Sequence, residues 1–286
     1  VSSRVAIVTG AGAGLGRAYA LDLARAGLRL VVNDRDGTAA ARVAGECHEI
    51  GVEAESDESA VGALGVAGEL VGRTLERFGR VDALVCNAGV VRDRTVHRLT
   101  DMDVQEVLSV HLGGVIDQVR AVWPHFRRQR YGRVVLVSSA AGLFGSVGQA
   151  NYAAAKAAVV GLGRTLAAEG RSYDIAANVV APVAQTDMAM TALGDAFAGL
   201  SADDVAPLVT YLCSEGCMVS GELFAAGGGR VTRIGWAESA GVRLPHGFTA
   251  ADIAAEIDTI RDMSGCAFPA DVAEHLKPLL RQKQPQ

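Results

Sequence analysis

The chain has 286 residues, 50% of them hydrophobic and 21% charged, enough apolar material for one large core. Its 27 Lys and Arg against 32 Asp and Glu leave a formal net charge of -5, which removes the electrostatic case for a nucleic-acid partner. No apolar run of about eighteen residues suggests a membrane span. Arg4 to Thr9 is a short apolar run that reads as a first strand. Gly10-Ala11-Gly12-Ala13-Gly14-Leu15-Gly16 follows at once and leads into the helical pattern Ala18 to Ala26. This is the strand, glycine turn and helix of a Rossmann-type dinucleotide fold. Gly10 permits the tight turn, Gly14 and Leu15 bring backbone to the pyrophosphate, and Gly16 allows close helix packing. A second strand, Arg29 to Asn33, ends at Asp34, where a carboxylate accepts from the adenosine ribose hydroxyls and repels a 2′-phosphate. Asp34 therefore favours NAD, while Arg17 and Arg35 nearby argue for NADP.

Further along, Val52 to Glu55, Val81 to Cys86, Arg133 to Ser138, Ile175 to Val180 and Glu222 to Ala226 read as strands separated by helical patterns. Several are continuously apolar, as strands covered on both faces should be. The expected architecture is α/β, a doubly wound parallel seven-stranded sheet with helices on both faces. The compositional break at Gly227-Gly228-Gly229 divides the expected catalytic core, 1–229, from a helical C-terminal extension of the same domain, 230–286. In that extension Thr249 to Asp262 has helical apolar spacing at Ile253, Ile257 and Ile260, either a surface or dimer-packing helix or a substrate lid.

Ser139 follows the Arg133 to Ser138 strand, and Tyr152 and Lys156 stand thirteen and seventeen residues beyond it. Four residues along a helix is just over one turn, so the phenol and the ammonium emerge on one face. A free tyrosine, with a pKa of about 10, is a poor base at neutral pH. An adjacent ammonium and an oxidised nicotinamide favour the phenolate, a shift of roughly three units being worth about 4 kcal/mol. Tyr152 then takes the proton of an alcohol whose oxygen Ser139 holds from the other side; Lys156 is expected to touch the nicotinamide ribose as well as tune the tyrosine. Alone, Tyr-x-x-x-Lys is common on helices; the glycine loop at the start of the same chain is what makes it an active-site candidate. Metal chemistry is not expected: Cys213 and Cys217, four apart on an expected helix, lack a second ligand pair and read as packing residues. The five cysteines, Cys47, Cys86, Cys213, Cys217 and Cys266, are scattered and odd in number, as suits a reducing cytoplasm. With the first strand at the start and Gln284-Pro285-Gln286 unlike a peroxisomal address, a cytoplasmic location is expected.

These motifs together resemble the short-chain dehydrogenase/reductase family over nearly the whole length. In that resemblance Cys86-Asn87-Ala88-Gly89 looks like the family's Asn-Asn-Ala-Gly, with cysteine in the first place, so Asn87, Ala88 and Gly89 join the cofactor site. Asp57 matches the family's aspartate beside the adenine, and Pro182 with Thr186 matches the segment over the nicotinamide, although Val183 replaces its glycine. His111 stands where the family places an asparagine whose backbone carbonyl serves a proton relay. The resemblance is narrower still to the (3R)-hydroxyacyl-CoA dehydrogenase domains of peroxisomal multifunctional enzymes of type 2, through Gly10 to Ala20, Val110-His111-Leu112, Gly148 to Tyr152 and Arg233 to Trp236. It implies NAD-dependent oxidation of a secondary alcohol to a ketone on a (3R)-3-hydroxyacyl-CoA, in a single-domain version. The alternatives are a hydroxysteroid dehydrogenase or other ketone reductase and, more remotely, a non-catalytic NAD sensor. Arg92, Arg94, Arg98 and Arg243 are either contacts to CoA phosphates or solvated surface charges. The resemblance also implies a homodimer, or a homotetramer, paired through the helices Val104 to Arg130 and Tyr152 to Glu169.

Overall fold

The computed structural model describes residues 4–185 and 199–280. Thr186 lies outside the described residues. Val1–Arg233 and Ile234–Gln286 form two compact units.

The first unit alternates strand and helix: β1 (Val5–Thr9), α1 (Gly14–Arg25), β2 (Arg29–Asn33), α2 (Gly37–Ile50), β3 (Ala54–Asp57), α3 (Val66–Phe78) and β4 (Ala83–Cys86). It continues with α4 (Asp101–Leu108), α5 (Gly114–Gln129), β5 (Gly132–Val137), α6 (Ala140–Phe144), α7 (Ala150–Gly170) and β6 (Ile175–Pro182). It closes with α8 (Ala206–Cys213), β7 (Leu223–Gly227) and β8 (Arg230–Ile234). Among the described residues eight strands form one sheet in the order β3-β2-β1-β4-β5-β6-β7-β8. The pairings from β3 through to β7 are parallel, with Ile7 opposite both Val31 and Leu84. Every residue of β1, β4 and β5 is buried, as a parallel sheet roofed on both faces requires.

The sheet has eight strands where the sequence pattern led us to expect seven. Gly228 and Gly229, at φ 57° and 73°, supply the two left-handed residues of a tight two-residue turn. The glycine run that reads as a boundary is thus a hairpin turn, and a two-residue connection makes β8 antiparallel to β7. Two other expectations are refined. The helix expected over Val104 to Arg130 is divided into α4 and α5 by a π-helical turn, Ser109–Gly113, which contains His111. Gly114 is needed just after it, because a β-carbon there would stand 2.6 Å from Val61 Cγ1. α8 ends at Cys213, so Cys217 lies beyond the helix, and both thiols are buried.

The second unit contains α9 (Ala250–Ala255), α10 (Ile257–Arg261) and α11 (Val272–Leu280). The helix expected over Thr249 to Asp262 is two short ones, separated at Glu256, which leaves helical geometry at ψ 8°. Thr249 and Asp252 form a capping box at its start. Trp236, Phe248 and Phe268 are more than half exposed, at 53%, 53% and 66%.

Candidate active site

In a sheet of this order the connections after β1 and β4 leave in opposite directions, and the crevice beyond their carboxyl ends is where ligands bind. A cleft of about 530 Å³ lies there, walled by the glycine loop, Asp34, Asn87 to Gly89, His111, Ser139, Tyr152, Lys156 and Pro182. Of the residues singled out in the sequence, Asp57 is not in this wall. It ends β3, where its carboxylate accepts from Asn33 Nδ2 and the Ser59 amide, both at 2.9 Å, and from Arg73 at 2.6 Å. Burial would raise the Asp57 pKa, but the hydrogen bonds from Ser59, Arg73 and Asn33 outweigh it and hold the carboxyl below its usual range.

The cofactor half is built on α1. Gly10 has φ +63°, and a β-carbon on Gly16 would stand 2.0 Å from the Gly10 carbonyl oxygen, so both positions require glycine. α1 has no side-chain cap and no acidic residue in its first turn, which leaves its amides and positive dipole end directed at the cleft. Such a cradle fits a pyrophosphate. Asn87 fastens it to β4: Nδ2 donates to the carbonyls of Thr9 at 3.1 Å and Gly10 at 3.0 Å. Thr9 Oγ1 in turn accepts from the amides of Asn87 and Ala88 at 3.2 and 3.3 Å. Asp34 Oδ2 accepts from Gly12 N at 2.9 Å and Oδ1 from Asp36 N at 3.0 Å, leaving acceptor capacity on both oxygens. Arg17 is turned to Glu46 at 2.5 Å, and Arg35 is exposed and outside the cleft wall.

The chemical half joins β5 to α7. Ser139 caps α6, accepting from Ala141 N at 3.2 Å, and its hydroxyl shares the cleft wall with the phenol of Tyr152. Lys156 is 4% exposed; its Nζ donates to the Val137 carbonyl at 2.6 Å and stands 5.7 Å from the centre of the Tyr152 ring. Burial pushes the lysine down to about 8. In the chain without the nicotinamide that the expectation included, burial holds the Tyr152 pKa above its ordinary value; the Ser139 hydroxyl lowers it and the Asp93 charge adds to the rise. Desolvation of the phenolate therefore exceeds what the ammonium contributes in the protein by itself. The positive charge of an oxidised nicotinamide is what such a site gains from its cofactor, along with a hydride acceptor.

His111 is 1% exposed and meets the backbone of Val90 through Nε2, 3.0 Å from the amide nitrogen and 2.7 Å from the carbonyl oxygen. Its ring stands edge-on to Tyr152, with centroids 5.1 Å apart. Burial first, and the Lys156 charge second, push its pKa down to about 3, so it is neutral at physiological pH and orients rather than protonates. Gly89 makes room for it, a β-carbon there falling 2.5 Å from His111 Cε1.

Of the Val90 to Arg94 segment the sequence pattern singled out only Arg92 and Arg94, yet its backbone and Asp93 are fastened to the tyrosine helix and the residues before it. Asn151 Nδ2 donates to Arg92 O at 3.2 Å, Gln149 Nε2 to Asp93 Oδ2 at 2.9 Å, and Arg94 N to Gly148 O at 2.8 Å. Only the presence of Asn and Gln before Tyr152 hinted at this. Arg92 is paired with Glu106 at 2.5 Å and Arg94 with Asp103 at 3.1 Å; Arg98 is exposed, and Arg243 in the second unit donates to Pro278 O at 2.9 Å.

Residues 4–195 match the family model described as short chain dehydrogenase. A short-chain type dehydrogenase/reductase of Mycobacterium tuberculosis, Rv0148, is 42% identical over 275 residues, covering 93% of this chain and 96% of that one. Hydroxyacyl-CoA dehydrogenase ChsB1 of the same organism is 38% identical over 259 residues, 82% of this chain and 80% of its own length. Among solved structures, full-length peroxisomal multifunctional enzyme type 2 from Drosophila melanogaster superposes with a TM-score of 0.84 at 32% identity. That match covers 98% of this chain and 49% of the fly chain, so the present sequence spans about half of that protein.

Proposed function

The chain belongs to the short-chain dehydrogenase family, an oxidoreductase acting on CH–OH groups, and from that membership we propose that it oxidises a (3R)-3-hydroxyacyl-CoA to the 3-keto thioester with NAD. The observation that carries the reading is that Ser139, Tyr152 and Lys156 line the same cleft as the glycine cradle. Ser139 holds the alcohol oxygen and Tyr152 takes its proton; a bound NAD would supply the acceptor for the hydride of the same carbon. Lys156 stabilises the phenolate and binds the nicotinamide ribose, while His111 fixes the tyrosine ring. Gly10, Gly14, Leu15, Gly16, Asn87, Ala88 and Gly89 hold the cofactor, with Pro182 beside the nicotinamide. The likeness to a hydroxyacyl-CoA dehydrogenase supports the substrate class. A hydroxysteroid or other ketone substrate remains the competing reading, favoured by the apolar stretch of wall at Val91, Phe144 and Val183.

Asp34 supports NAD, since its carboxylate faces the cleft while Arg17 is occupied by Glu46. Steady-state assays on 3-hydroxyacyl-CoAs of several lengths and a panel of hydroxysteroids, each with NAD and NADP, test both parts. Thioesters are expected to give the higher kcat/KM. The unmodified chain should prefer NAD at least about fivefold, roughly 1 kcal/mol, and Asp34→Ala should erase most of that preference. A preference for NADP in the unmodified chain would overturn the assignment.

The same reading includes a homodimer. α7 presents small exposed residues, Ala154, Ala157, Gly161 and Ala168, along one stripe that allows close approach of a second helix. Light scattering at micromolar concentration should give about twice 29.6 kDa. A mass near that of one chain rules out the oligomer, and one near four chains replaces the dimer by a tetramer. The five free thiols support, as part of this reading, a reducing compartment such as the cytoplasm.

A further inference from the structure

Gln149 immediately precedes α7, lines the cleft, and has no part in the chemistry assigned above. Its amide is oriented by one strong constraint: Nε2 donates to Asp93 Oδ2 at 2.9 Å. Rotating the amide would set Oε1 against that carboxylate, so Asp93 decides which end of the group is free. The free end is Oε1, which accepts no hydrogen bond from any described residue and is not among the sealed, partnerless side-chain atoms, although the residue as a whole is 8% exposed. The cleft wall here therefore offers an acceptor without a donor of its own.

Gln149, just before α7, and Tyr152, in its first turn, both line the cleft, so a substrate whose carbinol carbon sits at Tyr152 extends past Gln149. An alkyl tail carries no hydrogen-bond donor and would leave Oε1 desolvated and unmet. The arm on the other side of a thioester does carry one. We propose that Gln149 Oε1 accepts the first amide N–H of a pantetheine-type arm and so selects thioesters by their linker. The arginines nearest this part of the cleft are already neutralised, Arg92 by Glu106 and Arg94 by Asp103, so the arm rather than the nucleotide phosphates is what this wall reads. This inference rests on the thioester reading and adds the residue that enforces it.

The test compares 3-hydroxybutyryl esters of CoA, an acyl carrier protein and N-acetylcysteamine, which all carry the amide, with the ethyl thioester, which lacks it. Gln149→Leu keeps the bulk and strands Asp93 only in solvent, since Asp93 is exposed. It should lower kcat/KM on the amide-bearing thioesters about tenfold more than on the ethyl thioester, through KM, as loss of one hydrogen bond does. Asp93→Ala should lose part of the same discrimination by freeing the amide to turn, and Asp93→Asn, whose oxygen still accepts from Nε2, should restore it. Gln149-dependence on both the CoA and carrier-protein substrates supports reading of the shared arm, and dependence on one alone identifies which carrier is bound. An equal fall on all four thioesters, or a fall confined to kcat, would overturn the proposal and leave Gln149 as loop support. Turnover of steroids with no thioester oxidised would instead refute the substrate class itself.

Discussion

Tyr152→Phe is expected to lower kcat at least about a hundredfold while cofactor affinity stays near that of the unmodified chain. The change deletes only the hydroxyl. The ring remains edge-on to His111, and Ser139 keeps its bond to the Ala141 amide, so the cleft retains its shape. What disappears is the acceptor for the alcohol proton, for which the cleft holds no replacement: the His111 imidazole is committed through Nε2 to Val90, and its Nδ1 is buried without a partner. Stopped-flow or steady-state turnover combined with a cofactor-binding titration separates the two effects. Retained turnover would refute Tyr152 as the base.

Lys156→Met is expected to lose turnover by a similar factor and, unlike the tyrosine variant, to weaken cofactor binding as well. It should also change the pH dependence of stability. Burial lowers the Lys156 pKa from 10.5 in the unfolded chain to about 8 in the folded one. Between those values the unfolded chain binds more protons, so stability attributable to this group rises with pH through the window and is lost as pH falls through about 8. Replacing the lysine by methionine removes that rise. Urea unfolding at pH 7.5, 9 and 10 checks it: the difference in stability between the variant and the unmodified chain should be largest, in the variant's favour, at the lowest pH. A difference independent of pH would show that the ammonium is not held down by burial, and unchanged cofactor affinity would remove its second role.

What could be read in the sequence was chemistry carried by local spacing. The glycines at 10, 14 and 16 declare themselves because each is forced by backbone shape, and Tyr152 with Lys156 because one helical turn sets their relation. β2 was placed correctly to the residue because its apolar run is bounded by charge on one side and by Asn33-Asp34 on the other. What escaped depends on partners far apart in the chain. Gln149 and Asp93 are 56 residues apart and meet only because Val90 to Arg94 folds onto the start of α7. β8 escaped because a Gly-Gly turn and a domain boundary have the same composition. The burial that raises Tyr152 in the chain alone escaped for a related reason: the lysine beside it is visible in the sequence, whereas burial is a property of the assembled core.

The reciprocal bonds among Thr9, Gly10, Asn87 and Ala88 carry a thermodynamic consequence. They lock the phosphate loop to the neighbouring strand before any nucleotide arrives, so the loss of loop freedom is charged to folding rather than to association. A nucleotide then meets a surface already in its bound shape, and its binding entropy contains little from the protein backbone. Loosening the knot at Thr9, which is buried and outside the cleft wall, would therefore weaken binding without removing a contact to the ligand, as a less favourable entropy at nearly constant enthalpy, which is the part of the affinity that a list of contacting residues never shows.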